Sequence, residues 1–386
     1  MPIRFPSPLF RDNANLIRRR GGNLMLMHLT SQSAAGLLFQ ANIDSTAHTT
    51  FGLWYPVTYV FGINTGLSGL TAQYRTANSG AWTTLTAYTS ASEFNGVNGV
   101  RWDYANGRAY LSVGFGAPDL IQFQVLNGAT PVVISFHHIA GYYDERAAAV
   151  TASLDDWRTV NNTQFIAAQT KLAAVHVHNT TGIITALDGP MPWSDMQTWV
   201  DAGYLEFASH SRSHPANAAG YLVNGYTAEV SGSRDDILNN LTLPHELITV
   251  YIEPNGYTDA TLRAAIITAG YLVDRGYPTP SPQNTWAAWS ADGAYERSLF
   301  TITTEGWVDN TTYRDNFNAT YDGVYAAGGI YHLMDHPAQA GHWGGNTNLE
   351  QHIDHIAGHL DVWYAALGEQ YQYHYVQTNA SVARVG

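Results

Sequence analysis

Between residues 22 and 128, apolar and polar side chains alternate in short runs. TAQYRTA, AWTTLTAYT, RAYLSVGF and IQFQVL have the period of two that sends successive side chains to opposite faces of a sheet, so they predict strands. NSG, NGVNG and ANG, lying between them, supply the glycine and asparagine of tight turns. A β-sandwich-like domain over 22–130 is expected, preceded by an N-terminal extension over 1–21. From PVVISFHHI (131–139) onward the texture changes. Apolar runs now alternate with helical stretches such as TQFIAAQTKLAA, MPWSDMQTWVDAG, SRDDILNNL and DATLRAAIITAG. Pro192 and Ser194 stand where a helix begins, and Gly203 and Gly270 where helices end in a left-handed residue. This alternation across 131–386 predicts an α/β domain, either a barrel or a doubly wound sheet.

In both α/β architectures the chemistry gathers beyond the carboxyl ends of the parallel strands. Three apolar runs end in suitable residues. AVTASLDDW ends in Asp155 and Asp156, LEFASHSRSH in His210 and His214, and GIYHLMDHP in Asp335 and His336. One aspartate with two histidines is an O/N donor set suited to zinc or another divalent ion. A second aspartate beside it can take a proton from water, and a histidine opposite can return one to a leaving group. Each piece alone has a plainer reading. An Asp pair can cap a helix, histidines at i and i+4 meet as a matter of course only on a helix, and a lone histidine is ordinary polarity. The set carries the inference.

In this order SLDDW, SHSRSHP and LMDH resemble the motifs of polysaccharide deacetylases, carbohydrate esterase family 4, over about 131–375. The resemblance implies a distorted (β/α) barrel, with PVVISFHHI similar to its opening strand and LDVWYAALGEQYQY to its closing segment. It implies Asp155 as catalytic base, Asp156, His210 and His214 as ligands of one divalent metal ion, Zn2+ first, and His336 as the acid. The family's arginine that orients the base is absent, because Ile252 and Glu253 occupy its place in YIEPNG. AGYLVDRGYP resembles a variant in which a later arginine serves, which makes Arg275 the expected partner of Asp155. By the same analogy the Asn255 backbone N–H helps to hold the oxyanion. The implied reaction is removal of N- or O-linked acetyl groups from an acetylated carbohydrate polymer or oligomer. Two alternatives stand beside it: a catalytically weak carbohydrate-binding protein with a structural metal, and an amidase or esterase on another substrate.

Composition narrows the choice. Only 13% of the 386 residues are charged and 45% are hydrophobic, which supports a large core. The net charge is −13 and Lys171 is the sole lysine, so a nucleic-acid partner is not expected. Without cysteine, disulfides and thiolate metal sites are excluded. No run of 18 apolar residues predicts a membrane span. MPIRFPSPLF shows no signal-peptide pattern, although the implied function points to an extracellular or periplasmic location. Among 24 tyrosines and 11 tryptophans, Trp343 in GHWGG is a candidate sugar platform, with packing as its other reading. His137 and His138 end a strand and are candidates to approach the site. His352, His355 and His359 are expected on a solvated helical face. The all-β domain is left with three roles: polysaccharide binding, oligomerisation or shaping the cleft.

Overall fold

The computed structural model describes residues 38–43, 53–76, 80–88, 96–116, 120–245, 248–276, 289–292, 295–298, 302–304, 309–339 and 341–385. The chain divides into two compact units, 1–145 with 372–386, and 146–371.

The first unit holds two sheets. One orders Ser381–Val385, Leu38–Asn42, Leu120–Asn127, Thr71–Arg75 and Thr83–Thr84, and the other Ser135–Ile139, Val57–Gly62, Arg108–Val113, Gly99–Asp103 and Ala87–Tyr88. Alternation along the strands turns Phe39, Ala41, Ile121, Phe123 and Val125 inward. Their rings meet those of the other sheet: Tyr59 and Phe123 lie 4.7 Å apart between centroids, and Phe39 and Phe61 5.3 Å. This is a sandwich core.

Two boundaries differ from the sequence expectation. PVVISFHHI was expected to open the α/β domain, but its Ser135–Ile139 pairs antiparallel with Val57–Gly62. Phe136 then sits 5.5 Å from Phe61, inside the aromatic core of the first unit. The last strand, Ser381–Val385, also returns to this unit and pairs with Leu38–Asn42. The first unit therefore takes in both 131–145 and 372–386.

In the second unit, β1 (Ala148–Trp157), β2 (Asn179–Ile183), β3 (Leu205–Ser209), β4 (Val250–Ile252) and β5 (Val273–Arg275) lie side by side and parallel. β6 (Trp289–Asp292) pairs antiparallel with β7 (Tyr295–Ser298), which runs parallel to β5. On the other flank β8 (Ile302–Thr303) pairs with β9 (Ile330–Asp335), and β9 pairs with β1. β10 (Val362–Tyr364) pairs with the first residues of β1. The last strands thus return to the first in circular order, as in a (β/α) barrel, and among the described residues no pairing joins β7 to β8. The result is an α/β barrel opened on one side. Helices α1 (Asn162–Ala174), α2 (Trp193–Ala202), α3 (Ala218–Asn224), α4 (Tyr226–Asn240), α5 (Ala260–Ala269), α6 (Thr311–Ala326), α7 (Asn348–Ile356) and α8 (Leu367–Asn379) follow the strands. Gly203 and Gly270 end α2 and α5 at φ 82° and 85°, the left-handed caps the sequence predicts. Asn217, Asp259 and Asn310 cap α3, α5 and α6 through their side chains.

Candidate active site

Neighbouring residues of a regular strand point to opposite faces, so Asp155 and Asp156 need a local departure to serve one site. The register of β1 against β2 supplies it. Leu154 pairs with Thr181 and Trp157 with Ile183, which leaves one extra residue on β1, a bulge. Asp156 takes a left-handed φ of 79° within it. The Asn161 side chain secures the turn by donating to the Asp156 carbonyl at 2.7 Å and accepting from the Arg158 N–H at 2.9 Å.

Beyond β3 the chain turns sharply. Ser211 and His214 have φ of 63° and 58°, a conformation that costs a non-glycine residue about 1–3 kcal/mol. The Ser211 hydroxyl accepts the His214 N–H at 2.9 Å. The turn brings the two imidazoles together without a helix: Nε2 of His210 and Nε2 of His214 are 3.1 Å apart. Asp156 Oδ1 lies 3.2 Å from the first and 3.3 Å from the second. Around a zinc ion with bonds of about 2.0–2.1 Å, two tetrahedral ligand atoms stand roughly 3.3 Å apart. The three atoms therefore form one face of such a shell.

The surroundings agree with that use. His210 Nδ1 donates to the Ile252 carbonyl at 2.9 Å, so its Nε2 carries the free lone pair. Burial and the neighbouring His210 bring the His214 imidazole down to about 4, although Asp156 and Asp155 oppose them, so it is neutral at pH 7. Burial pushes the Asp156 carboxyl up, yet the imidazoles of His210, His214 and His336 hold it well below the ordinary range. Asp156 Oδ1 is buried, and beyond the two imidazoles it faces it has no partner among the described residues. A carboxylate oxygen enclosed in this way is suited to a cation. Among the described residues, this is the group of His, Asp and Glu placed to hold a metal ion.

The other expected residues sit as follows. Arg275 ends β5 opposite Ile252 of β4, fully buried, and its Nη2 donates to Asp155 Oδ2. Asp155 is buried and its Oδ1 has no partner among the described residues. Asn255 follows β4 in a left-handed turn, φ 53°, with its side-chain amide 3.3 Å from His214 Nδ1. His336 is half-buried just after β9, and its Nδ1 has no partner among the described residues. Trp343 is half-buried against the core, its indole N–H donating to Asp335 Oδ2 at 2.6 Å. Its ring packs on the core and its polar end is fastened.

Three supports were given no role from the sequence: Asp335, which it placed only at a strand end, and His332 and Glu229, which it passed over. Asp335 is buried and also accepts from His342 Nδ1 at 2.7 Å and from the Thr304 hydroxyl, so it organises the segment after His336. His332, inside β9, shares a 3.1 Å hydrogen bond with Ser153 of β1. Burial and the charge of Arg275 keep its imidazole neutral. Glu229 of α4 holds the backbone of the histidine turn. His138, by contrast, pairs with Glu145 at 2.7 Å in the first unit. His352 is buried, not solvated: Tyr331 donates to its Nε2 at 2.8 Å and its Nδ1 donates to Asn318 at 2.7 Å.

No family model and no curated protein matches the chain. Part of the chain does match solved structures. A family 4 carbohydrate esterase from Streptomyces lividans, in complex with acetate, is 18% identical, covers 58% of this chain and 95% of its own, and has a TM-score of 0.38. PuuE allantoinase is 12% identical with 60% and 91% covered and a TM-score of 0.46. A family 4 acetyl xylan esterase from Clostridium thermocellum, in complex with a cobalt ion, is 16% identical with 58% and 90% covered and a TM-score of 0.39. The chain resembles family 4 carbohydrate esterases. The weight of that resemblance rests on its own residues: the deacetylase-like motifs SLDDW and SHSRSHP converge on one triangle of ligand atoms.

Proposed function

We propose that the chain is a metal-dependent hydrolase that removes acetyl groups from a poly- or oligosaccharide. The observation that carries this reading is the Asp156–His210–His214 triangle with an Arg275-bound aspartate, Asp155, next to it in the chain. A divalent ion, Zn2+ first, held by Asp156, His210 and His214 would supply Lewis acidity and bring the pKa of water toward neutrality. The chain's own residues do the rest. Asp155 takes a proton from the attacking water at Oδ1, while Arg275 holds Oδ2 and fixes the direction of the carboxylate. The Asn255 N–H, presented by the left-handed turn after β4, donates to the developing oxyanion. His336, protonated, donates to the departing amine or alkoxide. A hydrolase of acetylated polymers belongs outside the cytoplasm, in the extracellular or periplasmic space. The absence of an arginine at Ile252–Glu253 would favour a catalytically weak carbohydrate-binding protein, and the contact of Arg275 with Asp155 speaks against that reading.

The test is Asp155→Asn. The variant is expected to keep its fold and metal while acetate release from acetylated chitooligosaccharide or acetylxylan falls roughly 10²–10⁴-fold. Release at the wild-type rate would remove Asp155 from the mechanism.

A further inference from the structure

The turn that carries both histidines is held from one side by a single helical face. Glu229, Gly232, Ser233 and Asp236 of α4 recur at the spacing that lines one face of a helix. Glu229, in the first turn of α4, is fully buried. Its Oε2 accepts the backbone N–H groups of Arg212 (3.0 Å) and Ser213 (2.9 Å), and its Oε1 accepts the Ser213 hydroxyl (2.6 Å) and the Asn224 amide (2.6 Å). One helical turn on, the absence of a side chain at Gly232 makes room: a Cβ there would stand 3.0 Å from Arg212 Cδ. Another turn on, Asp236 accepts from Arg212 Nε at 2.8 Å. Ser233 meets Ser209, the residue before His210. On its far side the turn is tied back by backbone bonds from Thr185 and Ala186 to the carbonyls of Ser211 and Arg212.

We infer that Glu229 is a positioning residue of the metal site, setting the separation of His210 and His214 by clamping the backbone between them. Two left-handed residues, Ser211 and His214, flank the clamped pair Arg212–Ser213, and neither has a glycine's preference for that conformation. Something must hold them there. Three hydrogen bonds of one buried carboxylate do so, with a fourth, from Asn224, holding the carboxylate itself, and a turn released from them relaxes toward ordinary backbone angles, carrying the two Nε2 atoms apart. The bonds of Glu229 go to neither histidine side chain, so its effect on the ion passes through this backbone.

The inference rests on the metal reading of the triad and is tested by binding, not by turnover. Co2+ is titrated into the full chain, with affinity and the visible ligand-field bands as readouts, for wild type, Glu229→Ala and Glu229→Gln. Glu229→Ala is expected to bind roughly 10–100-fold more weakly, with altered band intensity. In Glu229→Gln the amide oxygen can still accept both backbone N–H groups while its NH2 donates to the Ser213 hydroxyl and to the carbonyl oxygen of an Asn224 amide turned over, so affinity stays within about threefold of wild type. Wild-type affinity and spectrum in Glu229→Ala overturn the inference, as does a Glu229→Gln as weak as Glu229→Ala. If Glu229→Ala yields no folded chain, Ser213→Ala, which deletes one of the four bonds, decides in its place: weaker binding supports the clamp and unchanged binding overturns it. A wild-type chain that binds no Co2+ overturns the metal site and this inference together, whereas wild-type binding with unaffected variants overturns only this inference.

Discussion

The bulge in β1 gives Asp155 and Asp156 different neighbours. Asp155 meets a guanidinium and Asp156 meets two imidazoles. The Arg275–Asp155 pair is buried, which makes the removal of either partner expensive: a stranded buried charge costs about 3–5 kcal/mol. Arg275→Ala is therefore expected to lower thermal stability and abolish acetate release. Arg275→Lys, which keeps the charge on a different donor geometry, should recover much of the stability and only part of the activity. Thermal melts with parallel acetate assays check both. Equal activity in Arg275→Lys and wild type would show that the charge alone matters and that orientation does not.

At the scale of elements, the opposite ends of the strands are tied by a second polar group. The enclosed carboxyl of Glu206 in β3 accepts from Thr180 (2.8 Å), Thr249 (2.8 Å) and the Gly368 N–H (2.9 Å), joining β2, the start of β4 and α8. A Cβ on Gly368 would collide with this carboxyl, so glycine is required there. Burial pushes Glu206 up to about 7, with the charge of Glu369 adding to the rise and the Gly368 N–H opposing it. Glu369 in turn pairs with His178 at 3.2 Å, and although burial pulls that imidazole down, the carboxylate raises it overall. The sign follows from a folded pKa above the unfolded one. Both groups contribute stability that is complete below their unfolded values, near 4.5 and 6.5, and is lost as pH rises through the folded ones. The melting temperature of wild type should fall between about pH 4.5 and 7, the span from the unfolded to the folded value of Glu206, and that of Glu206→Gln, which cannot ionise, should fall less. Parallel slopes for the two proteins would dismiss Glu206 as a source of the pH dependence.

The elements also mark what the sequence made legible. The proposed ligands and the proposed base were readable because they end short apolar runs, where an α/β sheet exposes its chemistry. Arg275 was readable only through resemblance, since nothing local ties the end of β5 to the end of β1. Glu229 was not readable at all: its carboxylate works through backbone groups, which leave no residue pattern. His352 shares its helical face with Leu349, Ile353 and Ile356, all buried, and that spacing is the signal that would have turned it inward. The return of Ser381–Val385 to Leu38–Asn42 joins strands from far ends of the sequence, and such a pairing has no signature in either strand alone.

Over the whole molecule, two units divide the chain. The α/β barrel carries every residue of the proposed site, while the sandwich takes in the first and last of the described strands. No helix among the described residues is long and apolar enough to cross a membrane. A formal charge of −13 suits a neutral or cationic polymer better than a polyanion. The central claim is that hydrolysis depends on one ion in the Asp156–His210–His214 triangle. It is tested most directly by measuring acetate release from a panel of acetylated glycans with the full chain, first stripped by chelator and then given Zn2+ stepwise. Release is predicted to vanish on stripping and to return in full at one equivalent of metal per chain. Release that persists in protein shown to be metal-free, or that fails on every glycan after metal is restored, would contradict the account.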